Sequence, residues 1–271
     1  MTDKIRTIST FIKRDFMILS TYGLAITSMV LSTIFNLFYL ALFGSMFKEN
    51  NPSGIAMYGG GFISYMLVGS IGWSFLWSIV NATSSALSDE MKMGTLESIM
   101  QTKTSITTLI IAYTLSGCIF GAISTGIIFA AGYFFFGIVA YSDANIYTLV
   151  IFFLSILLMI GFGMIFGGLT LWMKDIGQTV PLIQTIVMFF SGVYFPITVL
   201  PEFFQPVAKY IPFYYSIEGL RISLVPTIQA IEIMKYIWIL SGLSILFFFV
   251  GLYILHKGLN KAKKDGSLAF Y

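Results

Sequence analysis

Charge is what this sequence has least of. Asp, Glu, Lys and Arg make up only 10% of its 271 residues, against about 25% in a soluble domain. So little charge excludes an ordinary water-facing surface. The net charge of +3 is no nucleic-acid footprint, because the basic residues gather at the ends of apolar runs; no nucleic-acid partner is expected. Cysteine is nearly absent. Cys118 stands alone, so no disulfide forms within the chain and the redox compartment stays open; inside an apolar run it reads as a small packing residue. Histidine is as scarce. The lone His256, beside Lys257, cannot make a two-histidine metal site and reads as an interfacial anchor. There is no G-x-S-x-G elbow, and Asp89 and Glu90 are adjacent, so they would point apart on a helix. Neither a nucleophile with its base nor a metal centre is expected, and no residue is assigned a catalytic role. The first 15 residues hold Asp3, Lys4, Arg6, Lys13, Arg14 and Asp15, with no small-residue cleavage site after a short apolar run. They do not read as a cleavable signal peptide.

What fills the chain instead is apolar: 57% of residues are hydrophobic. Six stretches carry no charged side chain: 16–47, 50–88, 104–142, 144–173, 176–201 and 236–255. Each reaches the roughly 20 residues that a helix needs to cross a hydrocarbon core about 30 Å thick. The expectation is an all-α membrane protein, one domain over residues 1–271. Its spans fall near 23–46, 60–86, 107–136, 147–172, 177–197 and 234–256. Turns are expected at Asn50–Gly54, at Asp143 and Asn145, and at Lys174-Asp175. Orientation follows from Lys and Arg. With the N-terminus inside, the inner segments hold Lys4, Arg6, Lys13, Arg14, Lys92, Lys103, Lys174, Lys257, Lys261, Lys263 and Lys264; the outer ones hold Lys48, Lys209, Arg221 and Lys235. The balance places both termini in the cytoplasm.

Residues 3–20 read as an amphipathic helix. Ile5, Ile8, Ile12, Phe16 and Leu19 recur at helical spacing, with Lys4, Arg6, Lys13 and Arg14 among the polar positions. Such a helix lies in the interface, its cations near anionic head groups. It serves as a lipid anchor, a docking surface for a cytoplasmic partner, or both. Gly117 and Gly121, and Gly163 and Gly167 flanked by Gly161 and Gly168, sit at spacings that let helices approach closely in lipid. They fit tight packing within the chain or a self-association face.

Two connections are more than turns. Between spans two and three, residues 88–102 carry mixed charge, one glycine and no proline. Thr95 could cap a short helix with Leu96, Ile99 and Met100 along one side. Glu90 and Glu97 lie off that stripe and would face water or a partner. An inert interfacial helix or a receiver of force both suit this segment. After span five, prolines at 196, 201, 206, 212 and 226 forbid a continuous helix. The pieces near 202–210 and 213–224 are too short to span and rich in aromatics, so 196–224 reads as helices that dip into the outer leaflet and return. Broken backbone at that depth needs protein or a water-lined cavity around it. Glu218 and Arg221, three apart, could pair on one helix face. A structural lid and an extracellular gate are both open, with the gate preferred.

These segments carry a family resemblance. Glu90-x3-Gly94-Thr95-Leu96-Glu97 resembles the cytoplasmic coupling segment of ABC transporter permeases of the type-2 exporter class, which export drugs, polysaccharides and teichoic acids. Ser191-Gly192-Val193-Tyr194-Phe195-Pro196-Ile197, then Leu200-Pro201, Ile211-Pro212, Tyr215 and Glu218-Gly219-Leu220-Arg221, resembles that class after its fifth span. Length, six spans and the leading helix agree. The resemblance implies a membrane subunit that works as a homodimer in the cell membrane with a separate cytoplasmic ABC ATPase. This chain has no G-x4-G-K-[ST] loop, so ATP and its Mg would be bound by the ATPase, and the chain itself would hold no cofactor. By the resemblance, Glu90, Gly94, Thr95 and Glu97 belong to a coupling helix seated in the ATPase. Pro196, Pro201 and Pro212, with Tyr215, Glu218 and Arg221, shape the re-entrant gate. The cargo would be a hydrophobic drug, a lipid or a lipid-linked glycan. A stand-alone secondary transporter or channel is the main rival, disfavoured because the apolar runs contain no ionisable group. A membrane-embedded enzyme is the weaker one.

Overall fold

The computed structural model describes residues 2–21, 23–46, 61–102, 104–136, 145–173 and 179–266. Among them every regular element is helical: α1 (Thr2–Thr21), α2 (Gly23–Met46), α3 (Phe62–Lys92), α4 (Thr95–Gln101), α5 (Ile106–Phe136), α6 (Ile146–Met173), α7 (Thr179–Phe190), a 3₁₀ turn (Ile197–Val199), α8 (Gln205–Tyr210), α9 (Pro212–Ser223) and α10 (Ala230–Lys264). The leading amphipathic helix is α1. Four described helices, α3, α5, α6 and α10, are long and apolar enough to cross a membrane. The chain is a multi-pass membrane protein.

The ends of these helices depart from the sequence expectation for local reasons. The α3 helix has 31 residues, about 46 Å at 1.5 Å per residue. It does not stop where the apolar run ends but carries on through Asp89, Glu90 and Lys92. It stops at Gly94, whose φ of 67° is left-handed, a conformation that glycine adopts without penalty. The expected single helix over 88–102 is therefore the last turns of α3, a glycine corner, and α4. The α10 helix likewise begins earlier and ends later than 234–256, so the basic residues after His256 are helical. Glu232 lies in its first turn and Lys261, Lys263 and Lys264 in its last, each sign opposite the helix-dipole end it meets. The fifth expected span ends earlier than the spacing implies. The α7 helix has 12 residues, about 18 Å, and breaks at Gly192 with φ 69°. The turn residues 50–54, 143 and 174–175 lie outside the described residues. Asn145 caps α6, accepting the Thr148 N–H at 3.1 Å, and its Nδ2 donates to the Ser223 carbonyl at the end of α9.

Packing is organised by glycines on α6 and α5. The α6 helix pairs most extensively with α10, and α3 lies against both α5 and α6. A Cβ on Gly161 would fall 2.6 Å from the Phe247 carbonyl carbon, and one on Gly168 would fall 2.8 Å from that of Ile254; Gly251 and Gly258 meet them from α10. Gly163 and Gly167 face Thr83 and Leu87 of α3, while Gly117 and Gly121 face Ile79 and Ser78. Both glycine pairs are thus used for helix contact inside the chain, where small residues permit close approach and good dispersion contact. One apolar cluster, with Trp73, Trp77, Phe166 and Phe213, fills the end of the bundle that holds Arg221. A second, with Leu87, Leu96, Tyr113 and Leu255, fills the end that holds Glu90.

Candidate functional site

Glu90 sits at the junction of four helices. It is 1% exposed, contrary to the expectation that it faces water. One oxygen accepts from Arg14 Nη1 of α1 at 2.5 Å and from the Tyr113 hydroxyl of α5 at 3.0 Å. The other accepts from the Thr95 hydroxyl of α4. Thr95 therefore does not cap α4; Gly94 holds the cap position, and the threonine hydroxyl is committed to Glu90. Asp15 completes the cluster, accepting from Arg14 at 3.0 Å and from Ser116 of α5 at 2.8 Å. Burial opposes the Arg14 charge, but its hydrogen bond and attraction to Glu90 outweigh that and raise its pKa. The guanidinium stays charged, and a buried carboxylate is tolerated because it is paired and hydrogen-bonded. Leu96 is buried, with Ile99 and Met100 packed beside it, as the apolar stripe implied. Of the four resemblance residues, Glu90 is buried, Gly94 is intermediate, and Thr95 and Glu97 are exposed; the Glu97 carboxylate receives a long 3.5 Å contact from Gln101.

At the opposite end, Arg221 is fully buried and pairs with Glu218 at 3.0 Å. Its Nη2 donates to the carbonyls of Gly192 at 3.1 Å, Val193 at 3.3 Å and Tyr65 at 3.4 Å, and its guanidinium lies 3.5 Å from the Tyr65 ring centre. One side chain thus ties α9 to α3 and satisfies carbonyls freed where α7 breaks. That need explains Gly69: a Cβ there would strike the Val193 carbonyl and lie 2.6 Å from Arg221 Nη2. Pro196 is buried and opens the 3₁₀ turn. Pro201 is exposed and its carbonyl accepts from Phe204 in the turn before α8. Pro212 begins α9, where its missing N–H costs nothing. Tyr215 packs against Tyr236 of α10 at 6.1 Å, and burial raises its phenol pKa.

Between these ends runs a polar track. Ser70, Ser74, Ser78, Asn81, Ser85 and Ser88 recur three or four residues apart on one face of α3. A cavity of ≈ 550 Å³ lies along the first part of this face, closed by Asn36 of α2, Ser124 of α5, Gln184 of α7 and Tyr194. A second cavity of ≈ 160 Å³ continues it, sharing Asn81 and reaching Asp89 and Lys92 beside Val180 and Pro181 of α7. The α7 helix borders both cavities yet has no buried residue. Val180, Ile183 and Val187 touch the core, while Leu182, Ile186 and Phe189 are exposed.

The structure therefore brings Glu90 and Thr95 together, and Glu218 with Arg221, but holds the two groups at opposite ends. Sequence reasoning missed Arg14, Asp15, Tyr113 and Tyr65, whose partners lie far away in the chain and leave no local signal. It also missed the α3 track, whose periodic hydroxyl and amide residues inside an uncharged run were a legible one. In comparisons with known proteins, the family model described as ABC-2 type transporter matches residues 7–225, which take in the junction, the track and the Arg221 clamp. A comparison with curated proteins found no match.

Proposed function

Because the chain belongs to the ABC-2 type transporter family as its membrane component, we propose that it is the membrane subunit of an ATP-driven exporter, acting as a pair of copies on two cytoplasmic ATPase subunits. Members of this family normally work with an ATPase subunit. The observation that carries the reading is the Glu90 junction. A short surface helix, α4, is fastened through one buried carboxylate to α1, α3 and α5, so force applied to α4 reaches three long elements at once. Glu97 is the exposed acid on that helix and offers a contact for the ATPase.

In this reading the Glu90 end faces the cytoplasm, in line with the bias of basic residues. Closure of the ATPases pushes α4, the helices turn as near-rigid bodies, and the 196–224 segment opens outward. The second copy covers the uncovered face of α7 and the polar face of α3, because hydroxyl and amide groups at membrane depth require protein or a water-filled cavity beside them. The cargo, a hydrophobic drug, a lipid or a lipid-linked glycan, passes along the α3 track.

The test is gentle-detergent purification from the native membrane with an ATPase assay on the eluate. A soluble ATPase should co-purify in about equal amount. Glu97→Arg should abolish transport-coupled hydrolysis while leaving the bundle folded, since Glu97 is exposed. A clean preparation without a nucleotide-hydrolysing partner would point instead to a stand-alone carrier or channel.

A further inference from the structure

The ≈ 550 Å³ cleft has a chemistry of its own. It falls within the range of roughly 300–1,000 Å³ usual for small-molecule sites. No lining residue carries a charge. An ion entering it would lose hydration with no opposite charge to meet, which argues against a cationic or anionic head group.

What the lining offers is a pair of mutually stacked indoles and neutral hydrogen-bonding groups. Trp73 and Trp77 stack with centroids 5.1 Å apart and planes at 17°. Trp77 is 3% exposed, and its indole N–H is buried with no hydrogen-bond partner among the described residues. Ser74, Asn81, Ser124 and Gln184 also line the cleft, and the side chains of these four spend no hydrogen bond on another described residue. Amides both donate and accept, and hydroxyls do the same. Such a set suits an uncharged head group with several hydroxyls, each of which can donate to and accept from the amides and hydroxyls of the lining. The neighbouring surface of α2 is apolar and exposed, including Leu31, Phe35 and Phe38, as acyl chains left in lipid would require.

We infer that the α3 cleft is a binding site for an uncharged amphiphile with a polyhydroxylated head group, that is, a neutral glycolipid, with its hydroxyls on Asn81 and Gln184. This rests on the transporter reading above and narrows its cargo.

The test uses the full chain in phosphatidylcholine nanodiscs with Trp172→Phe and Trp238→Phe, so that emission reports Trp73 and Trp77 alone. Diglucosyl diacylglycerol should change that emission saturably, whereas phosphatidylglycerol and tetraphenylphosphonium should not. Removing two side-chain hydrogen bonds with Asn81→Leu and Gln184→Leu should weaken the response about tenfold. Asn81→Asp keeps the shape and adds a negative charge, so it should confer a response to tetraphenylphosphonium. No saturable change, an equal response to the cation in the unaltered cleft, or an undiminished response in the double variant would overturn the assignment. Because binding is read without nucleotide or ATPase, such a failure alongside a co-purifying ATPase would sink the cargo class alone.

Discussion

Arg14→Met is the sharpest perturbation of the α1–α4 junction. It keeps a long side chain, removes the cation and leaves Glu90 buried with two neutral donors, Tyr113 and Thr95. Breaking a buried ion pair by removing one partner costs about 3–5 kcal/mol. Two features reduce that here. The Arg14 side chain is 37% exposed, so solvent already screens part of the attraction, and the remaining hydrogen bonds still support the carboxylate at about 0.5–1.5 kcal/mol each. Roughly 2 kcal/mol is left, a shift of about thirtyfold in the equilibrium that holds α1 to the bundle. Glu90→Gln should do less, about 1 kcal/mol, because Arg14 retains Asp15 at 3.0 Å and access to water. Hydrogen exchange of the full chain in nanodiscs reads this directly. Protection across residues 5–18 should fall about thirtyfold in Arg14→Met and only a fewfold in Glu90→Gln, while the middle of α10 is unchanged. Unchanged protection of α1 in Arg14→Met, or a larger loss in Glu90→Gln, would refute the idea that the buried carboxylate depends on this cation.

Arg221→Met should lower stability by about 3–5 kcal/mol, because it removes the cation that pairs with buried Glu218 and the donor that serves the Val193 carbonyl; adding Glu218→Met should restore part of it, and thermal unfolding that does not distinguish the single from the double variant would count against the clamp. Gly161→Leu should cost about 1–3 kcal/mol or more by overpacking, since its Cβ would meet Phe247 backbone at 2.6 Å, whereas Gly242→Ala, with nothing within 4 Å, should be neutral or stabilising in the same assay. In a Cys118→Ser background, Phe203→Cys and Tyr210→Cys, both exposed, should react with an impermeant thiol reagent applied outside intact cells; labelling only from the cytoplasmic side would reverse the orientation proposed for the bundle.

Several elements were readable before any coordinates. The α1 helix follows from apolar residues at helical spacing among cations, and α3, α5, α6 and α10 follow from charge-free runs. The short α8 and α9 follow from prolines that cannot continue a helix. The Glu218–Arg221 pair was legible because its members are three apart on one helix, and the inward side of α4 because Leu96, Ile99 and Met100 share a stripe. The end of α7 was not. Its apolar run continues past Phe190 into Pro196, but a left-handed Gly192 ends the helix early, and the freed carbonyls are met by Arg221, some 30 residues away in sequence.

That this chain lives in a membrane follows from its residues alone, since burial of so apolar a surface in lipid is dictated by composition and run length. Residue spacing also shows where helices must break and where small residues permit close contact. Which groups are buried together depends on how the helices pack. Glu90 looked like a surface acid because its partners Arg14 and Tyr113 lie on other helices, 76 and 23 positions away. The glycine pairs could have faced another copy, until α6 was laid against α3 and α10. Serines scattered along α3 became a track once α2, α5 and α7 enclosed them. In each case the deciding energy is non-local. Desolvation and pairing depend on what lies opposite a side chain, and residue spacing within one helix specifies only the face on which it lies.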